Sequence, residues 1–419
     1  MNKLLDSFPD RNWKNAVFPI AVGLLAFAIP VVNHGLQFVV AIVIAAWVLH
    51  PKRSLKPLWK PFVVFSGIFV FYFAGVFYSS NVSNGLDDLV QKLSLAIFPL
   101  MFATAKPLDA RYVRMVKRIF VLGTIAALMI AYGTSVFDFI ATGDIREMYM
   151  SNFSPVLHPS YLAMFINLSI AILLLEIDRE SRYRHSELKL WAVVLLLALS
   201  LIFPAAKMGV INFGLLMVFF LVLRGVQGNF FHVRTALLVA VGVLFLVFFK
   251  MDPLASGRLS TMVEVLEGSE EGVSQPAVES TTARLHIWKT LWSELPAHPF
   301  GVGGGDTKST LREWYAKNDL DVLADGGHDA HNQYLHTAVA VGIPAVLWFI
   351  FSLVYPLRRI WKKSMWIYAF FLMSIAINFA VESMLEKQSG IVFFTFFNAL
   401  FYFFGLRGTD ENVPVNPAP

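Results

Sequence analysis

Apolar residues recur along the chain in runs of roughly 20, the length an α-helix needs to cross a hydrocarbon core. Short polar punctuation separates the runs: "NHG" at 33–35, "HPKRS" at 50–54, "SSNVSNG" at 79–85 and "FPAAKMG" at 203–209 are turn signals. The pattern predicts about twelve transmembrane helices, at 16–33, 35–50, 61–79, 87–105, 113–138, 158–177, 187–204, 207–224, 233–250, 332–356, 364–382 and 389–406. Strands of a membrane barrel would be ~10 residues long and alternate apolar with polar, a pattern these runs lack. The expected fold class is therefore an all-α polytopic membrane protein.

Composition agrees. The 419 residues are 57% hydrophobic and only 15% charged, against about 25% charged in soluble domains. The formal charge of +5 is not spread evenly. Lys and Arg concentrate in alternate segments, among them Lys52, Arg53, Lys56 and Lys60, then Lys106, Arg111, Arg114, Lys117 and Arg118, then Arg358, Arg359, Lys362 and Lys363. By the positive-inside rule these segments are cytoplasmic, which predicts an even number of spans and both termini in the cytoplasm. The polar start, "MNKLLDSFPDRNWKN", precedes an apolar run without a small-residue cleavage site, so that run is expected to be a retained helix. Cysteine is absent, which excludes disulfides, thiolate metal sites and a cysteine nucleophile and leaves the redox compartment open.

The topology gives helices 1–9 in residues 1–250, a large outer loop at 251–331, helices 10–12 in 332–406, and a cytoplasmic tail at 407–419. A loop of about 80 residues is usually functional. Its first part, "EGSEEGVSQPAVESTT" at 267–282, is rich in Gly, Ser and Glu. "ARLHIWKTLWSEL" then places Leu285, Trp288, Leu291, Trp292 and Leu295 at helical spacing. "HPFGVGGGD" reads as a turn, and "DTKSTLREWYAKN" as a second short helix.

Ionisable groups on the outer side are few. Arg146 and His158 flank span 6, Lys207 sits between spans 7 and 8, and Arg284, Lys289, Lys308 and Arg312 lie in the loop. "GGHDAHNQYLHTA" ends the loop with His328, Asp329, His331, Asn332, Tyr334 and His336. Three readings of that stretch stand open: a metal site using His328, His331 and Asp329, a helix start capped by Asn332, or His331 as a general base. The cations suit a diphosphate, because Arg reads phosphate oxygens bidentately; alternatively they pair with Glu264, Glu267, Glu270 or Glu271. Asp87, Asp88, Glu382 and Glu386 are expected to pair with Lys92 and Lys387 or to form a relay. "GVGGGD" lacks the strand–turn–helix context and lysine of a phosphate loop and is better read as a tight turn.

With these residues placed, the chain resembles the O-antigen ligase and O-antigen polymerase superfamily of bacterial membrane glycosyltransferases. The likeness rests on the order of "RLHIW" (Arg284, Trp288), "HPFGVG" at 298–303, "HNQYL" at 331–335 and "AVGIPA" at 340–345. It implies a GT-C-like helical fold in the bacterial inner membrane, with a periplasmic active site and a large periplasmic loop containing short helices. The implied reaction moves a glycan from an undecaprenyl diphosphate carrier to a hydroxyl of lipid A-core, with inversion, no cofactor and no metal. The implied partners are that donor, the lipid A-core or another hydroxyl acceptor, and membrane lipids, with no nucleic acid. By the same resemblance His331 would activate the acceptor hydroxyl and Arg284, Lys207 and Arg146 would face the diphosphate. Lys207 stands where many members have arginine and lacks its bidentate fork. His328, Asp329, His336, Asn332, Tyr334 and His158 are left to orient the base or bind acceptor. A polymerase or protein O-oligosaccharyltransferase of the same superfamily is the nearest alternative. A twelve-helix transporter is the alternative of another class, opposed by the lack of two comparable halves.

Transfer is expected to survive a strong chelator. Loss of activity restored by zinc or magnesium would return the histidines to metal ligands.

Overall fold

The computed structural model describes residues 13–32, 34–50, 58–106, 108, 110–154, 157–179, 184–226, 233–251 and 281–405. Most of the 267–282 stretch, Glu264, Glu267, Glu270, Glu271 and the 407–419 tail therefore lie outside the described residues. Among the described residues the chain is helical and forms no strand. The first half contains α1 (Trp13–Val31), α2 (Leu36–Val48), α3 (Trp59–Val76), α4 (Val82–Gln91), α5 (Ser94–Thr104) and α6 (Ala110–Thr142). It continues with α7 (Pro159–Arg179), α8 (Arg184–Ser200), α9 (Lys207–Val226) and α10 (Val233–Met251). The second half contains α11 (Thr281–Glu294), α12 (Thr307–Lys317), α13 (Asp321–Asp325), α14 (Gln333–Val354), α15 (Leu357–Lys363), α16 (Trp366–Phe379) and α17 (Gln388–Ala399).

Six of the helical stretches are long and apolar enough to cross a membrane: Trp59–Val76, Ala110–Thr142, Lys207–Val226, Arg234–Met251, Gln333–Lys363 and Gln388–Gly405. This is the pattern of a polytopic membrane protein. Asn15–Val31, Leu36–Val48, Pro159–Leu175 and Trp366–Phe379 are apolar but shorter, and they coincide with four more of the expected spans. The span expected at 87–105 differs. It is two helices, α4 and α5, interrupted at Lys92 and Leu93. Lys92 is fully buried there, and the interruption lets a charged side chain turn inward to carboxylate partners.

The chain divides into two compact units, residues 1–20, 41–113 and 270–419 in one, and residues 21–40 and 114–269 in the other. In the second unit small residues let helices approach closely: a Cβ on Gly209 would stand 2.6 Å from that of Ala163. Polar side chains buried there bond across helices, Ser169 Oγ to Thr124 Oγ1 at 3.0 Å and Asn167 Nδ2 to the Gly209 carbonyl at 3.0 Å.

The first unit carries the expected short helices. α11 packs Ala283, Ile287 and Leu291, with Leu295 just after it, against Leu311, Trp314 and Tyr315 of α12 and against Leu335 and Val339 of α14. Of the five bulky residues at helical spacing, Leu291 and Leu295 enter this core and Trp288 packs against it, whereas Leu285 and Trp292 are exposed. The aromatic stripe instead borders an open groove of about 710 Å³, lined by Leu285, Trp288, Trp292, Asn332, Tyr334 and Leu335 among others.

One local feature joins three of the sequence motifs. α14 is kinked at Gly342, which has φ 86° and ψ 172° and is followed by Pro344. Backbone groups freed by the kink bond to the 299–303 turn: Val302 N to Val339 O at 2.8 Å, Gly303 N to Ala340 O at 2.9 Å, and Ile343 N to Pro299 O at 2.9 Å. So close an approach excludes side chains. A Cβ on Gly342 would lie 2.5 Å from the Phe300 backbone, and one on Gly301, itself at φ 77°, would lie 2.7 Å from the backbone of 340–342. The turn continues into Asp306, whose carboxylate accepts the backbone N–H groups of Ser80 and Asn81 at the start of α4.

Gly342→Ala is expected to lower the thermal midpoint of the detergent-purified protein by ~5 °C or more. A strained backbone position alone costs about 1–3 kcal/mol, and the clash adds to it. Gly133→Ala, where a Cβ meets nothing within 4 Å, should leave the midpoint unchanged or slightly raised. Equal midpoints for the two variants would refute the role given to the kink.

Candidate functional site

The loop that follows α13 delivers His331 to the head of α14. His331 has φ 43°, a left-handed backbone uncommon outside glycine, in which histidine is among the tolerated residues. Two local bonds hold that conformation. The His331 N–H donates to Asp329 Oδ1 at 2.8 Å, and the next residue, Asn332, caps α14 by accepting from Leu335 N at 3.0 Å. Trp288 of α11 donates its indole N–H to the Ala330 carbonyl at 3.0 Å, which pins the segment just before the histidine. Positive-φ residues of this kind gather at functional sites.

Around the imidazole the structure collects two carboxylates and a guanidinium. His331 Nδ1 faces Asp329 Oδ1 at 3.7 Å and Glu382 Oε2 at 3.8 Å, and the side chain keeps 20% of its surface exposed. The other Glu382 oxygen, Oε1, accepts from Arg284 Nη2 at 2.9 Å. Glu382 therefore bridges the two residues singled out in the sequence, although its partner there was taken to be Lys92 or Lys387. The distances of 3.7 and 3.8 Å are longer than a hydrogen bond, and catalytic contacts of this kind often tighten only with substrate bound.

The remaining members of the cluster have separate tasks. His328 lies beside His331, with ring centroids 6.0 Å apart. Tyr334 donates its hydroxyl to the Ala376 carbonyl at 3.0 Å and packs on Phe349 and Phe379. His336 is buried and directs Nε2 at Glu386 Oε2, 3.3 Å away, inside a second cluster. There the fully buried Lys92 ammonium meets Asp88 Oδ1 at 2.5 Å and Glu386 Oε2 at 2.9 Å and lies 4.7 Å from the centre of the Tyr72 ring. Burial opposes ionisation of Glu386, but His336 and Lys92 hold its carboxyl well below the ordinary carboxylate range. The pairing expected for Lys92, Asp88 and Glu386 is thus present. Among the described residues no three His, Asp or Glu side chains converge as a metal site requires.

Arg146, His158 and Lys207 belong to the second unit. Arg146 is exposed and forked onto Asp144, with Nε 2.8 Å from Oδ2 and Nη2 2.6 Å from the same oxygen. His158 accepts the Ser160 N–H on Nδ1 at 3.3 Å at the start of α7, a capping position. Lys207 opens α9 and is half-buried. The segments that carry these residues touch: Met150 N donates to Phe203 O at 2.8 Å, and Phe153 stacks on Phe203.

The residue that the sequence reading missed as part of the histidine site is Glu382. Its only signal was an ionisable side chain at the end of an apolar run, and no spacing rule links position 382 to 284 or 331.

No curated protein matches the chain. Residues 192–350, which include Arg284, His331, the 298–303 turn and the kink of α14, match the family model described as O-antigen ligase, so this part of the chain is similar to that family.

Proposed function

We propose that this protein is an O-antigen ligase, an inverting, metal-independent glycosyltransferase that moves a glycan from undecaprenyl diphosphate to a hydroxyl of lipid A-core. The twelve-span topology, with 251–331 and the site on the periplasmic face of the inner membrane and both termini in the cytoplasm, belongs to the same reading. The observation that carries the proposal is the gathering of His331 and Arg284, both within the segment matched by the family model, on the two oxygens of one carboxylate from beyond it, Glu382. Lys289, Lys308 and Arg312 on the loop suit a phosphorylated acceptor and favour ligase over polymerase.

In the reaction the acceptor hydroxyl oxygen forms a bond to the anomeric carbon of the donor glycan. The bond from that carbon to the diphosphate oxygen breaks, and the diphosphate leaves with the electron pair. The hydroxyl proton passes to His331 Nε2. For Nε2 to accept, the other ring nitrogen carries the proton, and the carboxylates of Glu382 and Asp329 facing Nδ1 favour that tautomer and stabilise the imidazolium that forms. Arg284 commits one of its five N–H donors to Glu382, and the others are available to the charge growing on the leaving diphosphate. Asn332 and Tyr334 hold the histidine's support, and His328, beside it, is assigned to the acceptor. The groove between α11 and the head of α14 opens next to Asn332 and is assigned to substrate.

Complementation of a strain lacking the protein tests this reading. His331→Ala is expected to be present in the membrane at normal abundance and to leave lipid A-core bare, with long glycans stranded on the lipid carrier. Lipid A-core bearing one repeat in the deletion strain would replace ligase with polymerase. An unchanged lipopolysaccharide profile would replace it with protein glycosylation or transport. Arg284→Ala is expected to raise the KM for the lipid diphosphate and lower kcat by on the order of 100-fold or more, as when a donor to developing charge is lost. Arg284→Lys should recover only part of that loss through its charge, and full recovery would argue against bidentate phosphate contact.

A further inference from the structure

The buried ion cluster beneath the histidine site has no part in the reaction as written. Lys92 is completely enclosed, with 0% side-chain exposure. A buried ammonium is costly unless its partners are well placed, and here two carboxylates and the face of Tyr72 supply them. Those partners come from three separate parts of the chain: Asp88 one turn earlier on α4, Tyr72 on α3, and Glu386 in the single turn Met384–Glu386 between α16 and α17. Two carboxylates and one ammonium leave a negative charge, and His336 of α14 faces it at 3.3 Å.

The turn that Lys92 grips begins two residues after Glu382, in the same link between α16 and α17. It is secured at 385–386 by groups from elsewhere: Gln333 Oε1 accepts the Leu385 N–H at 2.6 Å, and Gln91 Nε2 donates to the Glu386 carbonyl at 2.7 Å. Gln333 also bonds Thr337 at 3.3 Å, and Thr337 bonds Tyr72 at 3.3 Å, so the polar contacts close on themselves. The first residues of α14 and the 382–386 turn are thereby locked to each other. Those are the two segments that present His331 and Glu382.

We propose that Lys92 is a positioning residue: through Glu386 it fixes the 382–386 turn so that Glu382 stands against both Arg284 and His331. The proposal rests on the ligase reading for its kinetic consequence but not for its structural one. Lys92 touches no substrate. It acts on the rate of transfer through Glu382, and substrate affinity is largely unaffected.

The test uses full-length protein in detergent, with donor and acceptor extracted from cells lacking it. Lys92→Met alone would leave two buried carboxylates facing each other, so the informative variant removes every charge together: Asp88→Asn, Lys92→Met and Glu386→Gln. This variant is expected to elute as the wild type does and to lose kcat by roughly tenfold or more, with both KM values within about twofold. Added to Glu382→Gln it should cause little further loss, since both act through one carboxylate. Losses that multiply, or a kcat within twofold of wild type, would overturn the proposal. Should the triple variant fail to fold, Glu386→Gln alone, which keeps the Asp88–Lys92 pair, is put through the same cycle and read the same way. Hydrogen exchange is measured in parallel and needs no turnover. Faster exchange in residues 380–388 and 328–333 of the variant is expected, and unchanged exchange there would overturn the proposal. If the wild type transfers nothing, or His331→Ala still turns over, the ligase or base reading falls, and the exchange result still decides the role of Lys92.

Discussion

A helix that breaks in apolar surroundings leaves backbone N–H and C=O groups with no water to receive them, and each must find another partner. The kink of α14 at Gly342 poses that demand, and the turn at 299–303 meets it with backbone bonds of its own. Much of the first unit's local arrangement follows. The turn cannot take those bonds without lying against the kink, which requires glycine at 301 and 342. Once there, it sets α11 before it and α12 after it, and their apolar faces close over the head of α14. His331 is the residue at which the covering loop joins that head. Its position is therefore a consequence of how a broken helix satisfies its backbone.

Charge obeys the same rule of partnership. Removing one member of a buried ion pair typically costs about 3–5 kcal/mol, because the other is left uncompensated. Lys92 therefore ties the α4–α5 break, the head of α14 and the 384–386 turn together through Asp88, Glu386 and His336. The nearby Arg284–Glu382 pair is built differently, with 24% and 15% side-chain exposure, and its histidine neighbour stands just beyond hydrogen-bond range. The inner cluster encloses the Lys92 ammonium completely, with two carboxylates in contact with it. The outer one holds donors and acceptors not yet fully committed, which is the state expected of groups that will meet a substrate.

The likeness of this site to a base oriented by a carboxylate is chemical. In the proposed reaction a lipid diphosphate is already a competent leaving group, so the protein's contribution would reduce to removing one proton and stabilising one developing anion. His331 and Arg284 match those tasks by residue type, and Glu382 couples their positions. Leu285, Trp288 and Trp292 of α11 border the groove that opens beside Asn332.

How much of this could be read from the chain alone follows from the range of the forces involved. Hydropathy is a local sum, so the helical class, most of the apolar helices and the short helices after residue 280 were legible. Capping is local too, and Asn332 at the start of α14 was recognisable. Arg284 and His331 stood out because few ionisable groups lie near the membrane edge. What the chain could not show was which groups meet. The α4–α5 break escaped notice because a single lysine barely alters a hydropathy window, although burying it reorganises the helix around it. The helical spacing of α11 pointed to Leu291, Leu295 and Trp288, which the core takes up, but not to Ala283 and Ile287, which complete the packed face while Leu285 and Trp292 stay exposed. Glu382 and Glu386 lie about 50 residues beyond His331 and His336, and their partnership depends on the return of the chain after α16. Composition and periodicity determined a helical membrane protein with a basic and histidine-bearing segment between its apolar runs. Only the tertiary structure decided that one glutamate serves Arg284 and His331 while the other serves Lys92, because short-range contacts between distant residues exist only after the chain has packed.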